Sequence, residues 1–205
     1  MHFKHAVSPD SFDVKAIRMA TTSPDGKWLA FNAVGHIWLK ELPSGKPKRI
    51  TNSDDFEFDP AFSADGKKLT WVTWNDTAKG SVIMIDRSLG ITSARKLDIP
   101  KGIYRTPRFS PDNSKIVYVK EEGNDHMGFT WCNDPGIYLF DLNSADNSRI
   151  IEDGEYPYFS AEGERIYFMT GGYLFGALDK AFKSCDLSGN DLRTHYTSKY
   201  ANQFV

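Results

Sequence analysis

One short pattern governs what this chain can fold into. "SPDGKWLAF" from Ser23 returns as "SADGKKLTW" from Ser63, "SPDNSKIVY" from Ser110 and "SAEGERIYF" from Ser160. A unit repeated at this period cannot bury its own apolar face and must stack on its neighbours, so the repeat sets the architecture before any single residue does. The serines lie 40, 47 and 50 residues apart, the span of a propeller blade. The tetrad itself is turn chemistry. Ser and Asp hydrogen-bond nearby backbone, Pro presets φ, and Gly takes the positive φ of a tight hairpin. Asn113 stands at the Gly position of the third copy, and Asn is the side chain that best tolerates that conformation.

Strands follow from the flanks of the turn. After it, residues 27–33, 67–73, 114–120 and 164–170 mix β-branched, aromatic and polar residues, the signature of a second strand. Before three of the turns stands P-x-F-S, at Pro60, Pro107 and Pro157, where Pro suits the start or edge of a first strand. In the first copy Thr22 holds the aromatic position. Third strands are expected from His36, Ser81, Gly136 and Ala181, each closing on an acidic residue. Short basic fourth strands are expected at 47–51, 94–98 and 147–151, with 191–196 the loosest match.

The expected fold is all-β: four four-stranded antiparallel blades at about 14–52, 56–99, 104–152 and 156–198, with 199–205 starting a fifth. Four blades could close in principle. The nearly constant spacing from acidic strand end to next serine would place a fifth serine just past Val205, which favours an incomplete arc of a larger propeller. Uncovered blade faces at both ends would let the isolated segment self-associate. Length varies mainly between second and third strands, at 75–80, 121–135 and 171–180. Those loops share one rim of an up-and-down blade, and insertions gathered on one rim mark a binding face.

Composition removes several classes of function. The 205 residues carry 25 Lys and Arg against 27 Asp and Glu, a net charge of −2 that offers no field for nucleic acid or an anionic membrane. Apolar runs such as "VIMI" at 82–85 fall far short of the roughly 18 residues of a membrane span. The start, "MHFKHAVSPDSF", lacks the apolar core and cleavage site of a secretory signal. Cys132 and Cys185 are too sparse for a disulfide framework and read as two thiols or a single bridge.

Catalytic signals are sparse. There is no H-E-x-x-H, H-x-H, G-x-S-x-G, phosphate loop or G-x-G-x-x-G. The turn serines recur because the hairpin uses them. His2 with His5, His36, His126 and His195 do not form a ligand set, so no metal and no cofactor are expected in this segment. Asp59, at a strand entrance, could face the channel toward a cation but is one ligand only. Asn75-Asp76-Thr77 matches a glycosylation acceptor on a weak three-residue pattern. The candidate rim-binding residues are Trp74 and Asp76 in "WVTWND", with Asp125, His126, Phe129 and Trp131 in the long loop "NDHMGFTWCNDP". Aromatics beside carboxylates could form a ligand platform there, and packing within blade and loop is the alternative.

The repeat resembles the propeller repeats of the TolB family and of prolyl-oligopeptidase-type and tricorn-type proteases. The nearest likeness is to the propeller preceding the catalytic barrel of TolB-like amidohydrolases. It is carried by "VKAIRMATTSPDGKWLAFNAVGHIWL", "FDPAFSADGKKLTWVTWND", "GIYRTPRFSPDNSKIVYVK" and "SKYANQFV". The resemblance implies a periplasmic or exported protein in which a metal-dependent hydrolase domain is attached, with any divalent metal held in that domain. It carries no catalytic residue onto this chain. The expected function is a non-catalytic propeller segment that frames substrate access or meets the attached domain or a partner protein. The alternatives are a TolB-like interaction scaffold without an enzyme, and the gating propeller of a serine peptidase.

Overall fold

A computed structural model describes residues 12–89, 93–121, 133–171 and 179–199. Sixteen strands among the described residues form four antiparallel sheets of four. The first blade holds β1 (Arg18–Thr22), β2 (Trp28–Ala33), β3 (His36–Glu41) and β4 (Lys48–Arg49). The second holds β5 (Phe56–Phe62), β6 (Lys68–Trp74), β7 (Ser81–Asp86) and β8 (Arg95–Lys96). The third holds β9 (Tyr104–Phe109), β10 (Lys115–Lys120), β11 (Gly136–Asp141) and β12 (Asn147–Ile151). The fourth holds β13 (Glu155–Phe159), β14 (Arg165–Gly171), β15 (Lys180–Asp186) and β16 (Arg193–Ser198). Within each blade the strands pair in chain order. The first strands adjoin in succession, β1 by β5, β5 by β9 and β9 by β13, whereas no contact among the described residues joins β1 to β13. The four blades thus form an open arc about one axis. Beyond Lys199, the expected fifth-blade segment lies outside the described residues.

The turn serine works at both ends of its hairpin. Its hydroxyl accepts the backbone N–H five residues on, from Trp28, Lys68 and Lys115, at 2.8–2.9 Å. It also donates to the carboxylate two residues on, Asp25 at 2.5 Å and Asp65 at 2.7 Å, with Asp112 bonded likewise. Each Asp in turn accepts the next backbone N–H but one. Gly26, Gly66, Asn113 and Gly163 take φ of 68°, 68°, 59° and 76°. Asn113 does more than tolerate this conformation, because its Oδ1 accepts the N–H of Ala64 at 3.0 Å and ties the third turn to the second. The fourth copy carries Glu162 where the others have Asp, and there the Arg165 N–H bond to Ser160 lengthens to 3.3 Å.

Third strands end on acids for a related reason. Asp86, Asp141 and Asp186 each accept the N–H two residues on, closing the turn into the fourth strand. The fourth strands of the first two blades are shorter than the sequence suggests, only two residues each. Their side chains are exposed charges, and beside the ladder bonds Arg49 of β4 donates to Thr51 Oγ1 and the Ser53 carbonyl.

The core lies between blades rather than within them. Ala30 and Ile37 of the first blade pack on Leu69, Trp71 and Ile85 of the second. Val72, Val82 and Leu97 of the second pack on Ile116, Tyr118 and Phe140 of the third. Val117, Val119 and Ile137 of the third pack on Ile166, Phe168 and Cys185 of the fourth. Successive residues of one strand therefore bury against opposite neighbours, Trp71 backward and Val72 forward. This is why the second strands read as nearly continuous apolar runs. Cys185 is a buried thiol, pushed up to about 11 by burial, and Cys132 lies outside the described residues.

Two outcomes follow for the turns. Glu162→Asp shortens the acid to the length that Ser160 requires. It is expected to stabilise the chain by about 0.5–1 kcal/mol, read as a rise in the thermal midpoint. The hydroxyls of Ser110 and Ser114 and the Ser114 N–H hold Asp112 down at about 2, and the Lys115 ammonium does the same for Asp141. A carboxyl lowered by folding stabilises the fold above its unfolded value of about 3.9 and loses that contribution as pH falls toward the folded value. Urea midpoints should accordingly drop between pH of about 4 and about 2, with a shallower drop in Asp112→Asn.

Candidate functional site

The axial side of the arc is built from the first strands, and each carries the same irregularity. Met19, Asp59, Thr106 and Tyr156, four residues before their turn serines, have φ of 51°, 51°, 48° and 52°. At each of them the pairing of first with second strand slips, as at a β-bulge. Pro60, Pro107 and Pro157 follow directly, inside the strand, tolerated because this strand is the blade edge and the ladder is already broken there.

The side chain at the bulge reaches toward the next blade. The Asp59 N–H meets Met19 Sδ at 3.4 Å. Asp59 Oδ2 accepts the Thr106 N–H at 2.9 Å and Arg105 Nε at 2.7 Å. The cation that Asp59 holds is thus the chain's own guanidinium. At the third junction the series breaks. Thr106 is 8% exposed, and its Oγ1 has no hydrogen-bond partner among the described residues. A cavity of about 260 Å³ opens there, lined by Arg105, Thr106, Val119, Glu121, Glu155 and Tyr156. Glu155 is paired with Lys180 at 3.4 Å.

Six residues before the serine the junctions also differ. Glu57, buried, accepts the Ile37 N–H and the Thr51 hydroxyl on Oε2, each at 2.8 Å, and its carbonyl accepts from the Asn32 amide. Burial pushes its carboxyl up despite those bonds and the neighbouring His36 ring at 3.8 Å. Tyr104 fills the same place in the third blade, its hydroxyl bonded to the Pro100 carbonyl. In the fourth it is Gly154, where a Cβ would stand 2.6 Å from Ile137 Cδ1 and 2.9 Å from Phe168. At the turn rim the axis widens to a cleft of about 550 Å³ reached by all four blades, with Thr21, Phe62, Arg108 and Tyr158 on its wall.

Trp74 and Asp76 come together on the rim opposite the turns. The indole N–H donates to Asp76 Oδ1 at 2.9 Å, and Lys79 Nζ sits 5.6 Å from the ring centroid. Asn75 spends its side chain on the loop, donating to Asp55 and accepting from Thr77 and Ala78. Trp71 is wholly buried between the first two blades. Asp125, His126, Phe129 and Trp131 lie outside the described residues, as do His2 and His5. His195 bonds Ser184 through Nε2 at 2.7 Å and leans on Tyr167 and Phe182. No cluster of three or more His, Cys, Asp or Glu suited to a metal occurs among the described residues. No described helix is long and apolar enough to cross a membrane.

Asp59 accepts two interblade hydrogen bonds on one carboxylate oxygen, and its removal tests the series. Asp59→Ala leaves the buried Thr106 N–H and a half-exposed guanidinium without their acceptor. It should cost about 2–3 kcal/mol in urea unfolding. Asp59→Asn, which keeps an acceptor but no charge, should cost roughly half of that.

No protein-family model matches the chain. Among solved structures it is similar to TolB from Acinetobacter baumannii, with TM-score 0.66 and 19% identity over 87% of this chain and 43% of that one. It is also similar to an oligogalacturonate lyase in complex with manganese, with TM-score 0.66 and 14% identity over 87% of this chain and 52% of that one. A third likeness is to the β-propeller domain of the Trilobed protease from Pyrococcus furiosus, described as having an open velcro topology. There the TM-score is 0.59 and the identity 15%, over 90% of this chain and 58% of that one. The chain therefore spans less than half the length of that TolB and little more than half of the other two. At these identities the likeness establishes the fold, a run of TolB-like β-propeller blades forming an incomplete propeller.

Proposed function

We propose that this chain is the non-catalytic propeller segment of a larger, exported TolB-like hydrolase of the amidohydrolase type, in which it frames the approach of substrate to an attached domain. The observation that carries this reading is the division of labour between the two rims. The turn rim repeats closely, each turn serine accepting the backbone N–H five residues on. All the variable loops between second and third strands lie at the opposite rim, together with the Trp74–Asp76 pair and the cavity at Thr106. A scaffold whose largest length variation falls on one rim recognises through that rim. Trp74 and Asp76, with Asp125, His126, Phe129 and Trp131 of the long loop, are the residues proposed to meet the attached domain or a substrate.

The experiment has two parts. Assayed alone on amide and peptide substrates with zinc added, the chain is expected to give no turnover, and robust turnover overturns the non-catalytic assignment. Reading the gene past Val205 separates the alternatives. A barrel pattern with H-x-H at a strand end upholds this proposal. Further blades and a stop would replace it with an interaction scaffold, and a later G-x-S-x-G with a peptidase gate.

A further inference from the structure

The variable letter of P-x-F-S lies at the axis. Two residues before the turn serines stand Thr21, Ala61, Arg108 and Tyr158, and all four line the cleft of about 550 Å³ at the turn rim. Register places them there. Arg108 of β9 pairs with Val117, which packs forward on the fourth blade, and directly opposed residues share one face of a sheet. Beyond their bulges, Ala61 opposite Thr70 and Tyr158 opposite Tyr167 hold the same position in their blades. The Phe and Ser of the motif serve the interblade core and the hairpin, which leaves x to set the chemistry of the cleft.

Arg108 is the single charged residue on the cleft wall among the described residues. Its guanidinium makes one hydrogen bond there, from Nη1 to the Pro107 carbonyl at 3.0 Å, and no ion pair. Arg105, three residues earlier in the same strand, shows the contrast, since its Nε is held by Asp59 at 2.7 Å. The carboxylate whose charge reaches Arg108 is that same Asp59, with Oδ2 already shared between Arg105 and the Thr106 N–H. Burial accordingly draws the Arg108 pKa down, and Asp59 restores only part of it. A half-buried cation without a counter-ion carries a desolvation cost that a bound anion removes.

The wall also selects the kind of anion. One guanidinium balances one negative charge, so a monoanion fits where a dianion would be left half compensated. The planar fork matches a carboxylate. The N–H groups of the four turn serines are bonded within their own hairpins and offer nothing to an anion. The remaining wall is uncharged, and Phe62, Pro111, Phe159 and the 45% exposed Tyr158 give it an apolar surface for the body of a ligand. At roughly 30 Å³ per water-sized group, about 550 Å³ accommodates a six-membered ring and its carboxylate.

We propose that the axial cleft at the turn rim is a binding site for a monocarboxylate with an apolar, ring-sized body, its carboxylate on the Arg108 guanidinium and its body against Tyr158 and Phe159. The site lies at the opposite rim from the Trp74–Asp76 pair, and neither assignment depends on the other.

The test is binding of benzoate to the whole chain by ligand-observed NMR and calorimetry. Acetate supplies the charge without the ring, benzyl alcohol the ring without the charge, and sulfate a dianion. Benzoate should bind with a dissociation constant of about 1 mM, and each of the other three at least about tenfold more weakly. Arg108→Gln should weaken benzoate at least about tenfold, with the thermal midpoint of the free protein unchanged or raised because an uncompensated charge has gone. Tyr158→Ala, at a half-exposed position, should weaken benzoate about threefold to tenfold and keep the fold by circular dichroism. Three results overturn the proposal: no benzoate binding, unchanged binding in the folded Arg108→Gln or Tyr158→Ala protein, or acetate, benzyl alcohol or sulfate binding as tightly as benzoate.

Discussion

A single left-handed residue in each first strand, four positions before the turn serine, organises the arc. By slipping the register of first against second strand, it bends the inner edge of the blade and carries its side chain toward the next blade. Met19 and Asp59 use that reach to take the N–H of the following bulge residue. The apolar clusters between blades supply most of the burial, but they are non-directional. At the first two junctions, what fixes how one blade follows another is the directional contact at the axis, supported at the first by Glu57 and at the turn rim by Asn113 reaching back to Ala64.

The hairpin lock and the bulge divide the work along the first strand. Ser63 is fully buried and bonds Asp65 and the Lys68 N–H, so the turn end of the hairpin is closed mainly by local sequence. The other end is pinned by partners from another blade, as Asp59 is by Arg105 and Thr106. A rim held locally can repeat unchanged from blade to blade. A rim held by neighbours differs at every junction, which is where Glu57, Tyr104 and Gly154 occupy one equivalent position by three different means.

This division also decides what was legible in the sequence. The turns and the second and third strands could be read because their causes lie within about ten residues. The Ser–Asp–Gly tetrad and the acids ending the third strands form bonds to backbone two to five residues away. The bulges could not, although they recur as strictly as the serines, because Met, Asp, Thr and Tyr share no side-chain chemistry and the common feature is a dihedral angle. Asp59 was visible as a carboxylate near the axis, but its partner Arg105 lies 46 residues on. Glu57 left no local trace, since its bonds run to Ile37, 20 residues earlier, and to Thr51 in the preceding connection. The candidate pair Trp74 and Asp76 was legible as a pair. What the sequence did not convey is how far it satisfies itself, with the indole on the carboxylate and Lys79 beside the ring.

The third junction shows what a repeat protein can do with one departure from its own rule. Substituting Thr for Asp there forfeits an interblade acceptor and places a β-branched residue in a conformation that disfavours it. A position that costs stability in this way, beside a cavity walled by Arg105 and two glutamates, is the kind of local inconsistency that folded proteins keep at sites of use. The location adds to the argument. The cavity opens at the rim that bears the longest strand-connecting segment, the one between Lys120 and Gly136, rather than at the rim of the serine turns. Axial strain and the largest insertion thus belong to the same blade, the third.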